Sequence, residues 1–472
     1  MHSAPSIPLV TDLDDTLLRT DTLWEGLFCL LGQKPLAAFK LPGLAARGPL
    51  ALKQYLADYS LQNLALFPVN PELVAELEQA HAGGRRVYLA SAACSPVAEA
   101  VAARFSFFSG VFASDASRNL KGEAKAQRLV REFGERGFDY IGDSVADVPV
   151  WRVARTALVA SADARVAQAA RSVNGNCRLL PAVAPAWHDY RKALRVHQWV
   201  KNILLFLPLL LAHDFSLRAF GMALLAFFSF SCCASAIYVI NDLVDLAADR
   251  RHPTKCKRPF AAGAIPLQTG ALCGAGMLLC AALPCLALPW QYGVCLGVYL
   301  VCTTGYTLSF KRRLMLDVIV LACMYVLRIL AGAAAITHSL SNWLLGFGIF
   351  FFLGLALIKR IGDSMQIAAP GALPGRPYAS GDTSILESMA VASGFAATLV
   401  AALYIDSLQA LQLYARPQAL WLFCPLIIYW YGRLLVITHR GEMGDDPVAY
   451  AMRDHNSWLC AACGIALLFC AM

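Results

Sequence analysis

At 472 residues the chain is too long for one compact core, and 58% of it is hydrophobic, with a mean hydropathy of +0.53. Its formal charge of +8 comes from short basic clusters between apolar runs. That pattern excludes a nucleic-acid-binding face and marks the cytoplasmic loops of a membrane protein. The sixteen cysteines exclude a disulfide scaffold, because most lie in apolar runs (Cys232, Cys233, Cys273, Cys280, Cys302, Cys323) as small hydrophobes. Cys460-Ala-Ala-Cys463 has metal-site spacing but no partner pair, and reads as packing.

Residues 1–195 read as a soluble α/β protein. Met1–Val10 is too short for a cleavable leader. The apolar run Ile7–Val10 predicts a strand that ends in Val10-Thr-Asp12-Leu-Asp14-Asp15-Thr16. Alternate side chains of an extended chain point the same way, so Asp12 and Asp14 flank one phosphate. Asp12 is placed to attack phosphorus, and Asp14 to serve as acid and base. A helical stretch, 21–80, falls where a cap would cover such a site. A second strand, from Arg86, ends on Ser91. Lys125 opens a helical stretch, with Lys121 as its alternative. A third strand from Phe138 ends in Gly142-Asp143-Ser144 and Asp147. Each piece is weak alone, but in this order they mark the ligand edge of a doubly wound sheet. Residues 7–175 thus resemble the haloacid-dehalogenase-like (HAD-like) phosphatases. The resemblance implies Asp12 as nucleophile, Asp14 as acid/base, and Ser91 and Lys125 as phosphate-holding groups. Asp143, with Asp147 behind it, then holds Mg²⁺, and Asp12 and Asp14 belong to the same metal set. The carboxylate of Asp14 argues for phosphate chemistry against dehalogenation. Domain 1–175 is followed by an expected linker, 176–195, with Pro181, Pro185 and Trp187.

From about residue 196 the pattern predicts an all-α membrane bundle of nine spans: 199–213, 217–240, 266–288, 290–310, 315–338, 341–360, 386–411, 418–438 and 456–472. Loops after even-numbered spans carry Arg250, Arg251, Lys255, Lys257, Arg258, Lys311, Arg312, Arg313, Arg376, Arg440 and Arg453. The opposite loops carry only Arg218 and Arg416. The asymmetry puts the N-terminal half in the cytosol, at a bacterial-type inner membrane. Gly270-x-x-x-Gly274 and Gly293-x-x-x-Gly297 read as close helix packing.

The apolar run Phe220–Ile240 meets Asn241-Asp242-Leu-Val-Asp245-Leu-Ala-Ala-Asp249. On a continuous helix Asn241, Asp245 and Asp249 share one face, and Asp242 extends it. Carboxylates so crowded call for a divalent cation, and the basic residues that follow suit a metal-bound diphosphate. Tyr306 to Asp317, with Lys311, forms a second polar patch, expected at the same cytoplasmic face. Arg328 lies inside an apolar helix, facing an anion or acting as a structural arginine. Lys359-Arg360 reads equally as interface anchor or ligand. Such patches suit loss of a diphosphate from an allylic or an oxocarbenium carbon, and the physics leaves both open.

Asn241-Asp-x-x-Asp245-x-x-x-Asp249 followed by Arg258-Pro-x-Ala-Ala-Gly263 resembles the first motif of the UbiA-type prenyltransferase superfamily, over about residues 190–472. Arg195-x-x-Gln198-Trp199-x-Lys201-Asn202, His252-Pro253-x-Lys255, Tyr306 to Asp317 and Val326-Leu-Arg328-x-x-Ala-Gly332 are more similar to the branch that transfers phosphoribosyl groups to decaprenyl phosphate. No second aspartate-rich run of the aromatic-acceptor branch is present. Cys256-Lys257 departs from the arginines common in relatives. The resemblance implies Mg²⁺ on Asn241, Asp242, Asp245 and Asp249, with Asp245 and Asp249 catalytic. It also implies substrate contacts from Lys201, Lys255, Arg258, Tyr306, Lys311, Asp317, Arg328 and Lys359.

The expectation is a bifunctional enzyme working with membrane, polyprenyl lipid and diphosphate donor. Its membrane half transfers phosphoribosyl to polyprenyl phosphate, and its soluble half removes a phosphate, that of the product being the natural candidate. Prenyl transfer to an aromatic acceptor such as 4-hydroxybenzoate is the alternative. A non-catalytic scaffold that binds polyprenyl phosphates is the second. Lipid chain length and oligomeric state are not set by the sequence.

Overall fold

The computed structural model describes residues 7–115, 118–365, 377–443 and 446–472; Arg376 lies outside them. The chain forms two compact units, one comprising residues up to Val196 with Tyr238–Gly276, the other His197–Ile237 with Met277–Met472.

The first unit is built on six parallel strands: β1 (Leu9–Thr11), β2 (Val87–Cys94), β3 (Phe108–Ser114), β4 (Asp139–Gly142), β5 (Thr156–Val159) and β6 (Cys177–Leu179), in the order β3-β2-β1-β4-β5-β6. Leu9 pairs with Val87 on one side and with Asp139 on the other. Sheets covered on both faces take near-continuous apolar strands, and successive side chains enter opposite cores. Leu9 and Leu89 accordingly pack with Leu73 and Val97, whereas Val10 and Ala90 pack with Tyr140 and Trp151.

Three expectations shift here. Strand β2 runs on to Cys94 instead of ending at Ser91. The cap is shorter than 21–80: helix α1 (Thr22–Gln33) and helix Pro49–Leu61 belong to it, but Pro71–Ala82 buries Leu73 and Leu77 in the sheet core. Its amphipathic pattern matches that of a cap helix, so sequence alone does not part them. Residues 177–179, expected in a linker, form the edge strand β6 on β5; three residues are too few to show a period.

Segment Tyr238–Gly276 joins this unit because Val239, Leu243, Leu246, Phe260, Ile265 and Leu267 pack on Phe28 of α1. The approach is close at Gly263, whose φ is +69° and where an added Cβ would stand 2.4 Å from the Arg19 carbonyl oxygen.

The second unit is helical. Across the described residues six helices are long and apolar enough to cross a membrane: Leu217–Val244, Leu267–Leu286, Leu316–Ala335, Asn342–Met365, Thr383–Ile405 and Pro417–His439. Two shorter apolar helices, Val196–Leu211 and His455–Ala471, lie in other expected spans, and the 290–310 stretch forms helix Trp290–Leu308. The six support a multi-pass membrane protein, and among the described residues the other three expected spans do not reach that length and apolarity. Of the two small-residue pairs, Gly270 packs on Phe260 and Leu243 and Gly274 on Val239, while Gly293 and Gly297 face open space. Among the described residues the second pair meets no neighbouring helix.

Candidate functional site

In the first unit the chain turns sharply after β1. Asp15 has φ +53°, and the Leu18 N–H closes the turn on the Leu13 carbonyl at 2.9 Å. The turn lifts Asp12, Asp14 and Asp15 onto one cavity of roughly 490 Å³, which Lys121, Lys125, Asp143 and Asp147 also line. It lies beyond the C-terminal ends of β1 and β4, at the switch point of the sheet. Lys125 Nζ donates to Asp12 Oδ2 at 2.8 Å and to Asp147 Oδ1 at 3.5 Å, and the Tyr140 hydroxyl donates to Asp147 Oδ1 at 2.9 Å. Thr16 Oγ1 donates to Asp143 Oδ1 at 3.0 Å.

Asp12, Asp143 and Asp147 each offer an oxygen within 4.8 Å of the others. Across the described residues this is the set of three or more carboxylate, His or Cys ligands that fits a divalent cation. Asp14 lies outside that trio: its Oδ1 accepts the Thr22 N–H at 2.8 Å. Ser91 is fully buried, and its Oγ accepts the Ala93 N–H at 2.9 Å, behind the cavity wall. Burial pushes Asp12 up to about 6 against the pull of Lys125. Burial, then the charge of Asp21, holds Asp14 well above the ordinary carboxylate range. Burial and then the Asp147 charge raise Asp143. Burial disfavours the Lys125 charge, yet Asp12 and Asp147 keep its pKa raised. The cavity thus pairs a carboxylate held beside the Lys125 ammonium with one whose proton is favoured by burial and by the Asp21 charge, the two roles that nucleophilic and general-acid steps require.

The aspartate segment, also in the first unit, differs from a simple stripe. Helix Leu217–Val244 breaks at Asp245, which heads the short helix Leu246–Arg251. Asp242 and Asp249 come together, bridged by Arg258 Nη1 at 3.0 and 2.7 Å. Arg195 Nη2 donates to Asp242 as well and lies over the Tyr238 ring. Asp245 lines a separate hollow with Glu25, Tyr59 and Arg251. Arg250, expected near a diphosphate, is instead buried on Glu25. Lys255 stands in a short 3₁₀ turn. A bare ion finds no three-carboxylate set here. Acidic and guanidinium groups side by side suit a metal-bound diphosphate, which presents both charges.

The second unit gathers Tyr306, Asp317 and Arg360. Asp317, fully buried, accepts Arg360 Nε at 2.8 Å and the Tyr378 hydroxyl, and Arg360 Nη2 donates to the Tyr306 hydroxyl at 2.9 Å. Lys201 and Lys359 converge on Asp446 Oδ2 at 2.5 and 3.3 Å. Lys311 follows Tyr306 in a 3₁₀ turn, Phe310–Arg312. Arg328 donates to Asn202 Oδ1 at 3.0 Å, to the Met324 carbonyl at 2.6 Å and to the Tyr299 hydroxyl at 3.2 Å, among the rings of Phe230, Tyr299 and Tyr325. Three of its five N–H donors are thus spent inside the protein. Tyr378 carried no sequence signal, since it sits alone in its stretch, and Asp446, beside Asp445 and near Glu442, belongs to an acidic pair too short to mark a site. Arg360 was legible only as a basic residue at a span end.

Residues 203–458 match the UbiA prenyltransferase family, and residues 9–152 the haloacid dehalogenase-like hydrolases. An uncharacterized protein, y4nM, of Sinorhizobium fredii (strain NBRC 101917 / NGR234) is 34% identical over 97% of this chain and 89% of its own length. Decaprenyl-phosphate phosphoribosyltransferase of Corynebacterium glutamicum is 38% identical over 38% of this chain and 56% of its own length. A UbiA homolog from Archaeoglobus fulgidus, solved bound to DMAPP and Mg²⁺, aligns at a TM-score of 0.45 and 16% identity, over 59% of this chain and 99% of its own. The chain belongs to the UbiA prenyltransferase family and carries a HAD-like domain at its N-terminus.

Proposed function

We propose that this transferase moves a phosphoribosyl group from phosphoribosyl diphosphate onto a polyprenyl phosphate with Mg²⁺, and that its N-terminal domain then removes the 5-phosphate from the lipid product. One observation carries the reading. The intact Asp12–Lys125–Asp143–Asp147 cluster shares a chain with a stretch 38% identical to a decaprenyl-phosphate phosphoribosyltransferase. Phosphoribosyl transfer leaves a phosphomonoester on the lipid, which is the bond that such a cluster cleaves.

In the phosphatase step Asp12 attacks phosphorus while the ester P–O bond breaks. Asp14 hands its proton to the departing oxygen and then takes one from the water that hydrolyses the aspartyl-phosphate. Lys125 keeps Asp12 ionised. A Mg²⁺ on Asp12, Asp143 and Asp147 supplies charge neutralisation of the phosphate. For transfer, Asp242 and Asp249 would serve the cation of a metal-diphosphate and Arg258 and Lys255 its phosphates, with Asn241 and Asp245 in the same segment. By the family resemblance, Lys201, Lys311, Asp317, Arg328 and Lys359, with Tyr306, are the substrate contacts contributed by the second unit. The basic-loop asymmetry supports an inner-membrane protein with a cytosolic N-terminal domain.

Purified protein is incubated with phosphoribosyl diphosphate and decaprenyl phosphate, and separately with a prenyl diphosphate and 4-hydroxybenzoate. Phosphoribosylated lipid in the first mixture alone is expected; prenylated aromatic product in the second would overturn the assignment.

A further inference from the structure

One wall of the phosphatase cavity comes from the family's transferase part. Gln268, the second residue of the apolar helix Leu267–Leu286, lines the same cavity as Asp12 and Asp14. It is anchored on the acid's side. Gln268 Nε2 donates to Asp21 Oδ2 at 3.2 Å, and the other Asp21 oxygen caps α1 by accepting the Leu23 N–H at 2.8 Å. The next N–H along, from Thr22, goes to Asp14 at 2.8 Å. The residue that protonates the leaving oxygen is therefore two links from Gln268.

Lys53, from cap helix Pro49–Leu61, lines the cavity too. Its ammonium donates to the Ala92 carbonyl at 2.6 Å and to Asn119 Oδ1 at 3.1 Å. An ammonium has three donors, so one remains for a ligand, while Gln268 keeps its amide oxygen and one N–H. These donors and acceptors line the cavity that holds Asp14, and they suit hydroxyl and ring oxygens better than an apolar ester.

The helix that Gln268 opens is long and apolar enough to cross a membrane. A residue in its first turn stands where a span meets the headgroup layer. A leaving group read there is reached from the bilayer surface.

Resting on the phosphatase reading above, we infer that Lys53 and Gln268 are specificity residues that select a phosphomonoester whose hydroxylated leaving group is anchored in the membrane. The cavity is incomplete without the segment that contains Gln268, so hydrolysis of the lipid-borne ester needs the full chain.

The test uses full-length protein in lipid vesicles with Mg²⁺. The probes are synthetic farnesylphosphoryl-ribose 5-phosphate in the bilayer, ribose 5-phosphate in solution, and p-nitrophenyl phosphate. The wild type is expected to favour the bilayer probe over ribose 5-phosphate by about a hundredfold in kcat/KM. Gln268→Ala, an exposed position, is expected to raise KM for the bilayer probe about tenfold, the loss of one or two hydrogen bonds, with kcat within about twofold. Lys53→Met is expected to act in the same direction, with Lys53→Arg recovering most of the affinity. Equal kcat/KM for the two sugar phosphates, or wild-type KM in both Gln268→Ala and Lys53→Met, overturns the inference while p-nitrophenyl phosphate turnover leaves the phosphatase reading standing. No hydrolysis of any probe overturns both.

Discussion

Arg250 and Glu25 form a two-pronged ion pair, Nη1 to Oε2 at 3.0 Å and Nη2 to Oε1 at 2.6 Å, with both side chains nearly sealed from solvent. The Thr20 hydroxyl donates to the same Glu25 oxygen, and Arg250 Nε donates to the Ala261 carbonyl. The pair ties α1 to the aspartate segment, which makes Arg250 a structural group and removes it from the diphosphate loop.

Glu25→Leu alone or Arg250→Met alone is expected to destabilise the first unit by about 3–5 kcal/mol, because each strands a buried charge. The double variant is expected to regain most of the loss. Urea unfolding of the detergent-solubilised protein, followed through phosphatase activity, checks this, and additive losses in the double variant would refute the pairing.

Asp12→Asn is expected to abolish phosphate release, since an amide is no nucleophile, while lipid transfer continues. Mass spectrometry of the lipid products should find the phosphorylated form accumulating. Identical lipids from mutant and wild type would detach the phosphatase from this product.

Asp249→Ala is expected to lower transfer by at least about a thousandfold, on the order of 4 kcal/mol of lost leaving-group stabilisation. Phosphate release from p-nitrophenyl phosphate should persist. Near-normal transfer at ordinary Mg²⁺ would remove Asp249 from the metal-diphosphate site.

Arg328→Leu is expected to unfold more easily than wild type, contrary to the expectation from burial cost alone. Asn202, itself almost fully buried, loses the guanidinium donor to its Oδ1, at about 1–3 kcal/mol for a buried acceptor whose bond is removed. Donor KM is expected to rise about tenfold in the folded fraction. An unchanged KM beside a lowered melting temperature would leave Arg328 a purely structural tether.

Asp139 is buried between Arg85 and Arg155, at 2.6 Å from Arg85 Nη2 and 2.8 Å from Arg155 Nε. Burial alone would raise its pKa, but the hydrogen bonds from Arg155 and Arg85 hold it below the ordinary value of 3.8. A group depressed on folding stabilises the native state above its unfolded pKa and loses that contribution as pH falls through the folded value. Asp139→Asn is therefore expected to destabilise the protein at neutral pH and to flatten its stability profile below pH 4. Parallel acid-unfolding curves for mutant and wild type would argue against it.

Local chemistry was legible in the sequence wherever a motif is contiguous. Asp12 and Asp14 flank a strand end, Asp143 and Asp147 end another, and the apolar runs announce membrane helices through composition alone. The pattern also announced the Asp242–Asp249 segment, because carboxylates beside a long apolar run are costly without partners. Which groups answer those charges was not legible. Arg258 and Arg195 on Asp242, Glu25 on Arg250 and Arg360 on Asp317 are each set by contacts between residues from 16 to 225 positions apart. A periodicity names the face that a helix buries and leaves its partner open. So only the tertiary structure decided that Tyr238–Gly276 packs with the phosphatase domain, that Asp14 and Ser91 stand apart from the metal trio, and that Gln268 reaches the phosphatase cavity.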